Sequence, residues 1–211
     1  MSRLVELYSL NGTSNTAQLR KIYDEWASDY DKELADEAQD YVAPALAGAY
    51  LLRTLKTPRI NDNIEILDAG CGTGLVGAHL AAIGGQRVDG IDLSPGMLQL
   101  AEKTKAYRNL QTADLSMALA FKDGTYDAVT CIGTLTQGHV GPGAIDEFVR
   151  VVKVGGLIVV TILDAIFGPG GYEAKVEELV MARKIEIVSA QIEDYRRGAG
   201  VRAWMIVLRA L

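Results

Sequence analysis

A chain of 211 residues with 49% hydrophobic and 23% charged residues has the composition of an ordinary globular protein, most simply one domain with a substantial core. The net charge is −6 and no run is rich in Lys or Arg, so we predict no nucleic-acid partner, because clustered basic side chains carry phosphate binding. Cys71 and Cys131 lie in apolar runs without the spacing of a zinc site or a disulfide framework, and no metal site is predicted.

The N-terminal residues lack the apolar core of a signal peptide, and no apolar run reaches the length of a membrane span. We therefore expect a soluble, cytoplasmic protein with no membrane partner. The sequence leaves the oligomeric state open.

Two helices are predicted before residue 60. Between residues 16 and 34, Ile22, Trp26 and Tyr30 recur every four residues with Tyr23 beside them, which is a helical pattern. A second helix runs from residue 44, a proline that suits a first turn, to residue 55. The aromatic side chains of the first helix either pack on the core or form a lid over a ligand.

From residue 64 onward, predicted strands and helices alternate. The strands are 64–69, 87–92, 110–113, 126–132 and 157–162, and "VVKVGG" is predicted to be the tight turn before the fifth. Ser94 is predicted to cap the helix that begins at Pro95. Repeated strand–helix units indicate a parallel sheet with helices on both faces.

The end of the chain differs from this alternation. After a helix near residues 172–183, two strands, 185–192 and 202–208, are joined only by "EDYRRGAGV". That gap is too short for a crossover helix, so the two strands are predicted to pair antiparallel. The fold class is therefore α/β, with a seven-stranded, mostly parallel sheet.

The glycine-rich stretch "ILDAGCGTGLVG" contains two overlapping cofactor patterns. Gly72-x-Gly74-x-x-Gly77 is the weak pattern of a dinucleotide site, and Asp68-x-Gly70-x-Gly72-x-Gly74 is that of an S-adenosylmethionine (SAM) site. A carboxylate at the strand end repels a pyrophosphate but favours the ammonium and sulfonium of SAM, so we predict SAM. The alternative role for Asp68 is a carboxylate satisfied by backbone N–H groups of the turn, and Gly77 is predicted to serve helix packing.

A second acid ends the second strand, in "VDGIDLSPGM". Asp92 follows Asp68 by 24 residues, and its carboxylate can accept hydrogen bonds from both ribose hydroxyls of an adenosine. Because NAD and SAM share that ribose, Asp92 supports an adenosine ligand without choosing between them. Asp89 is the rival acid, but it lies in the middle of the strand.

These motifs resemble those of the class I SAM-dependent methyltransferases. "ILDAGCGTG", "VDGIDLSPGMLQLA", "YDAVTCIGTL" and "EFVRVVKVGGLIVVTI" are similar to successive superfamily motifs in order and spacing. "IYDEWASDYDKEL", "YVAPALA" and "GHVGPGAIDEFVRVVKVGGL" look like the Williams–Beuren syndrome critical region methyltransferase-like proteins. The resemblance implies a Rossmann-like three-layer αβα sandwich with an antiparallel last strand. Val154 departs from the superfamily, which usually has proline there.

The resemblance also implies cofactor roles. It places Asp68, Gly70 and Gly72 at the methionine end of SAM, and it favours the lid role for Tyr23, Trp26 and Tyr30. It assigns the adenosine and the sulfonium to residues after the second, third and fourth strands: Asp92 at the ribose, Leu93, Asp114 and Leu115 at the adenine, and Ile132 beneath the sulfonium. The alternative for Asp114 is a helix N-cap.

Candidates for chemistry are few. His139, in the loop after the fourth strand, is the candidate general base, and the alternative is an exposed loop histidine. His79 is predicted to be structural, while Tyr172 and Asp164 are candidates for lining a substrate pocket. No [DN]-P-P-[YF] sequence follows the fourth strand, which argues against methylation of base or glutamine nitrogens.

We predict a single methyltransferase domain over residues 1–211, with lid helices in 1–60 and the cofactor-binding core in 61–211. The predicted reaction transfers a methyl group from SAM to a small-molecule substrate and leaves S-adenosyl-L-homocysteine (SAH). Two alternatives stay open: a SAM-binding protein that transfers no methyl group, and an NAD(P)-dependent oxidoreductase.

Overall fold

The computed structural model describes residues 16–35, 40–136 and 140–211. Its helices are α1 (Thr16–Ala35), α2 (Ala43–Leu55), α3 (Leu75–Ala82), α4 (Pro95–Lys103), α5 (Ala144–Val151), α6 (Asp164–Phe167) and α7 (Tyr172–Met181). Its strands are β1 (Glu65–Ala69), β2 (Arg87–Asp92), β3 (Asn109–Thr112), β4 (Tyr126–Leu135), β5 (Val152–Leu163), β6 (Ile185–Arg196) and β7 (Val201–Ala210).

Seven strands form one sheet in the order β3-β2-β1-β4-β5-β7-β6. The first five strands run parallel to their neighbours, and β7 pairs antiparallel with both β5 and β6. The antiparallel pair is the one predicted from the short gap between the last two strands. The predicted α/β fold with a mostly parallel sheet is confirmed.

Both faces of the sheet are covered by helices, because successive strand residues point to opposite sides. Ile66 packs in a buried cluster with α2 and α3 through Leu51 and Leu80. The next residue, Leu67, packs in the opposite cluster with α5 and α7 through residues that include Phe148. The result is the expected three-layer arrangement.

The two N-terminal helices differ in position. Helix α2 buries Ala47 and Leu51 in the sheet's own core, whereas α1 packs on α4 and forms a separate small cluster around Leu19 and Trp26. Of the segment predicted as lid helices, α1 is thus the part that stands outside the core of the sheet.

Two local predictions were wrong, and one short helix was not predicted. The "VKVGG" predicted as a turn is already part of β5, which pairs Tyr126 with Val152 and then resumes at Ala128 and Leu157 after a register shift. Strand β4 continues to residue 135, beyond its predicted end at 132, and the one-turn helix α6 was not expected. In the described ranges, no helix combines the length and the apolar character needed to cross a membrane.

Candidate functional site

A pocket opens where the carboxyl ends of β1, β2, β3 and β4 meet helix α1. From β1 the chain continues to strands on one side of the sheet, and from β4 it continues to strands on the other side. Such a reversal leaves a crevice between the two adjacent strands. The empty space within the pocket, including open solvent at its mouth, is about 740 Å³. Predicted residues found in its wall are Tyr23, Tyr30, Gly70, Gly72, Asp92, Leu93, Asp114, Leu115 and Ile132.

Asp92 lies in the pocket wall and accepts hydrogen bonds from the backbone. Its Oδ2 accepts a hydrogen bond from the Gly72 N–H at 2.9 Å, and its Oδ1 accepts one from the Ser94 N–H at 2.9 Å. Burial raises the pKa of the Asp92 carboxyl, and these backbone donors oppose that rise. A carboxylate has about four acceptor positions, so Asp92 keeps acceptor capacity for a ligand while it joins the end of β2 to the glycine turn.

Asp114 lies in the pocket wall just after β3. Its Oδ1 accepts hydrogen bonds from the Ser116 N–H at 2.9 Å and the Ser116 hydroxyl at 2.6 Å. The segment that follows is a turn rather than a helix, so the alternative role of Asp114 as a helix N-cap does not apply. The rival acid Asp89 is bound through both oxygens to Arg108, at 2.7 and 3.0 Å, outside the pocket wall.

Asp68 does not line the pocket. It is fully buried behind the glycine turn, where Oδ1 accepts from the Thr130 hydroxyl at 2.8 Å and Oδ2 accepts from the Tyr107 hydroxyl at 2.7 Å. Burial raises the pKa of the Asp68 carboxyl to about 6, against these two donors. Its partners are hydroxyl groups and not the backbone N–H groups considered from the sequence, and a direct contact with the methionine end stays a prediction.

Tyr107 links Asp68 to the start of α3. The tyrosine oxygen accepts from the Gly77 N–H at 3.1 Å while its own proton goes to Asp68. A Cβ atom at Gly77 would lie 2.2 Å from the Tyr107 Cζ, so only glycine admits this ring. Gly77 therefore serves packing, as predicted, but its partner is Tyr107. The sequence offered no signal for Tyr107 beyond the glycine that makes room for it.

The aromatic residues of α1 divide into two groups. Tyr23 and Tyr30 line the pocket, whereas Trp26 is fully buried between them and does not reach the pocket wall. The Trp26 ring meets the Tyr30 ring edge-on, with centroids 4.7 Å apart. One helix therefore contributes both buried packing and pocket lining, and the lid role stays a prediction.

Helix α1 is fastened to the pocket rim by Asp24. Its Oδ1 accepts hydrogen bonds from the Ser94 hydroxyl at 2.5 Å and from the Gly96 N–H at 2.9 Å. The same hydroxyl accepts from the Met97 N–H at 3.0 Å, which makes Ser94 the predicted cap of α4. One serine therefore joins the start of α4 to the helix above the pocket.

Of the other candidates, those within the described residues lie away from the pocket wall. His139 falls outside the described residues, and its role as a base stays a prediction. His79 is exposed on α3. The Tyr172 hydroxyl donates to the Val140 carbonyl oxygen, and Asp164 accepts from the Trp204 Nε1 at 3.0 Å. Val140, Thr134 and five further residues complete the pocket wall without having been predicted: Thr16, Leu19, Met97, Ala113 and Gly133.

The side chains present fit SAM better than a dinucleotide. Asp92 and Asp114 are carboxylates in the pocket wall, and acceptors of this kind suit the adenosine of either cofactor. The glycine turn has a second carboxylate, Asp68, directly behind it, which favours a cationic ligand over a pyrophosphate.

Residues 67–160 match the family model described as a methyltransferase domain. This segment of the chain is therefore a methyltransferase domain. This confirms the superfamily predicted from the motifs. The matched segment runs from the middle of β1 almost to the end of β5 and contains the glycine turn, Asp92 and Asp114.

Curated relatives of this methyltransferase domain carry different names. Methyltransferase-like protein 27 of Homo sapiens is 41% identical over 152 residues, 72% of this chain and 60% of that protein. Demethylmenaquinone methyltransferase of Tropheryma whipplei is 32% identical over 148 residues, 69% of this chain and 59% of that protein. The 18S rRNA (guanine-N(7))-methyltransferase of Bos taurus is 40% identical over 70 residues, 33% of this chain and 25% of that protein. The chain thus spans about 60% of the length of the first two relatives.

Among solved structures, a TehB-like SAM-dependent methyltransferase from Corynebacterium glutamicum superposes with a TM-score of 0.64 and 21% identity. The superposition covers 90% of this chain and 100% of that one. At this identity the likeness shows the Rossmann-like methyltransferase fold alone.

Proposed function

We propose that this chain transfers a methyl group from SAM to a small-molecule acceptor. The observation that carries the proposal is Asp92, a pocket carboxylate that two backbone N–H groups hold in place beside the glycine turn. When bound, SAM supplies an electrophilic methyl carbon, which bonds to a lone pair of the acceptor while the electron pair of the broken S–C bond stays on sulfur and SAH is left.

The chain's own residues would bind and orient. Asp92 would accept from the ribose hydroxyls, Asp114 from the adenine amino group, and Leu93 and Leu115 would cover the adenine faces. Ile132 would lie beneath the sulfonium, while Tyr23 and Tyr30 of α1 would exclude water from above. Holding donor and acceptor together is the main contribution expected of such an enzyme, since displacement at a sulfonium needs alignment above all.

The small size of the acceptor is supported by the enclosure of the pocket. Helix α1 lies across it and is fastened by Asp24, so a large substrate has little room to approach from that side. Among the relatives, a demethylmenaquinone methyltransferase matches 69% of the chain, whereas the rRNA methyltransferase matches 33%. We further propose that the chain works as one domain, with α1 as its lid.

Calorimetry with SAM, SAH and NADH tests the cofactor. We expect SAM and SAH to bind and NADH not to bind, and binding of NADH without SAM would refute the proposal.

Incubation of the protein with methyl-labelled SAM and a metabolite extract then tests transfer. Label in a small molecule is expected, and label appearing only in RNA would show that the acceptor class is wrong.

A further inference from the structure

A short segment before α2 runs along the end of β6 and brings two tyrosines together. Tyr41 forms an antiparallel bridge with Arg196, and the Val42 N–H donates to the Tyr195 carbonyl oxygen at 3.2 Å. Asp40 and Arg197, the next residues outward from this bridge, form an ion pair of 2.7 Å. Residues 154 positions apart in sequence, Tyr41 and Tyr195, are thus fixed side by side by backbone and charge contacts.

The hydroxyl groups of these tyrosines meet at Gly133. A Cβ atom on Gly133 would lie 2.5 Å from the Tyr41 Oη and 3.1 Å from the Tyr195 Oη, and the backbone there has a φ of +84°. The two rings pack edge-on with centroids 5.1 Å apart. Because Gly133 has no side chain, both tyrosine hydroxyl oxygens can lie close to its Cα near the end of β4.

That point adjoins the proposed cofactor pocket. Gly133 and Tyr30 both belong to the pocket wall, and the Tyr41 hydroxyl interacts electrostatically with Tyr30 and with Asp68. Burial is the largest cause that raises the pKa of Tyr41 well above its usual value, and Tyr195 adds to it. The Tyr41 phenol is therefore neutral at physiological pH, and its hydroxyl is hydrogen-bonded to the Tyr195 side chain.

We propose that Tyr41 and Tyr195 are positioning residues that hold the hydroxyl oxygen of a planar aromatic acceptor, a phenol, next to the methyl donor. This inference rests on the proposed methyl transfer and names the acceptor class for it. A tyrosine oxygen has two lone pairs, so this hydrogen-bonded pair keeps a lone pair that can accept the acceptor's O–H. The rings of Tyr30, Tyr41 and Tyr195 offer edges and faces against which a planar ring packs favourably.

A phenol also suits the proton balance of the reaction. Its pKa is about 10, like that of tyrosine, so its proton leaves far more readily than that of an aliphatic alcohol. The phenol oxygen forms the new C–O bond with its own electron pair, the S–C bond breaks with its pair on sulfur, and the phenol proton passes to water. Tyr41 and Tyr195 orient this oxygen and exchange no electrons with it.

The test measures binding of simple probes to the SAH-saturated protein by calorimetry. Phenol and catechol are the oxygen probes, and aniline and benzene-1,2-diamine are their amino counterparts. We expect catechol to bind about 5–10-fold more tightly than the diamine, the size of one or two matched hydrogen bonds. Y41F and Y195F should each weaken catechol binding by about 3–10-fold, while the SAH dissociation constant stays unchanged.

Tyr126→Phe is the matched control. The Tyr126 hydroxyl donates to Asp89 at 3.1 Å at the opposite end of β4, so its removal should leave catechol binding unaltered. Failure of SAH to bind any of these proteins would overturn the proposed function itself. With SAH bound, the inference alone is overturned if neither oxygen probe binds, if the amino probes bind equally well, or if both tyrosine variants behave as the wild type.

Discussion

Two carboxylates at the ends of neighbouring strands, Asp68 and Asp92, differ in what they face. Asp92 is open to the pocket and is held by backbone N–H groups, so it presents acceptors to a ligand. Asp68 is sealed behind the turn by two hydroxyl donors, so it acts on the same turn from within the protein. Asp92 therefore faces the pocket and also bonds to the glycine turn, whereas Asp68 belongs to the buried network behind that turn.

Replacing Asp92 with asparagine should weaken SAH binding by about 1–3 kcal/mol, because a charge-assisted pair of hydrogen bonds to the ribose is lost. Calorimetry on the purified variant checks this. Asp164→Asn, which neutralises a carboxylate bonded to Trp204 outside the pocket, is the control and should bind SAH as the wild type does. Unchanged affinity in the Asp92 variant would mean that another residue holds the ribose.

Asp68 predicts a specific dependence of stability on pH. Its pKa is raised to about 6 in the folded protein by burial, against about 3.9 in an unfolded chain. The folded state therefore holds the proton more tightly. Its contribution to stability is fully present below pH 4 and is lost as the pH rises through 6.

The measurement is the free energy of unfolding of the wild type minus that of Asp68→Asn, taken in denaturant between pH 4 and 7. The difference should fall by about 3 kcal/mol, since two pKa units correspond to roughly that energy. T130V, which removes one donor to Asp68, should extend the fall to higher pH. A difference that stays flat with pH would show that the buried carboxyl is ionised without cost.

At the residue scale, the sequence predicted those pocket residues that belong to short local motifs. The glycine turn, Asp92, Asp114 and Ile132 belong to motifs at strand ends, and all lie in the pocket wall. Tyr107 lies 39 positions from Asp68, and Tyr41 lies far from Tyr195, so no local pattern pairs them. Such contacts depend on how the sheet brings distant segments together.

Helix α1 borders the pocket from outside the core of the sheet. It lines the pocket with Tyr23 and Tyr30, yet its fixed point is Asp24, which joins it to Ser94 and Gly96 at the start of α4. An element that packs outside the core opens more readily than one buried within it. Ligand exchange is therefore expected to follow the opening of α1.

Asp24→Ala should loosen this helix. Loss of two charge-assisted hydrogen bonds, worth about 1–2 kcal/mol together, should speed amide hydrogen exchange in α1 by about 5–30-fold and hasten SAH release. Exchange measured by mass spectrometry resolves the helix from the rest of the chain. Glu25→Ala, on the next position and paired with Lys21 at 3.9 Å, is the control. Equal exchange in the two variants would contradict the role given to Asp24.

At the element scale, the types of the core helices and strands followed from periodicity, and errors occurred where the backbone departs from it. Glycines in "VKVGG" indicated a turn, but the segment pairs with β4 across a register shift, because a bulge can hold residues that a regular strand would not. The antiparallel end was predictable because the length of the connection between β6 and β7 leaves no room for a crossover.

Ligand binding should be visible in the stability of the whole molecule. At a concentration of SAH one hundred times its dissociation constant, binding adds about 2.7 kcal/mol to the folded state. For a chain of this length that raises Tm by about 5–10 °C. A thermal scan with SAH, with NADH and with Asp92→Asn checks it: only SAH with the wild type should give the full shift. A larger shift with NADH would contradict the cofactor assignment.

The position of Tyr41 and Tyr195 beside Gly133 has a consequence for how the methyl acceptor of such a protein can change during evolution. The segment that matches the methyltransferase family, residues 67–160, contains the residues proposed to hold the methyl donor. The two tyrosines proposed to hold the acceptor lie outside it, one on each side. Mutations in the flanking segments can therefore exchange one acceptor for another while selection preserves the donor site. A match over residues 67–160 therefore bears on the methyl donor, whereas the acceptor of each such protein has to be identified by experiment.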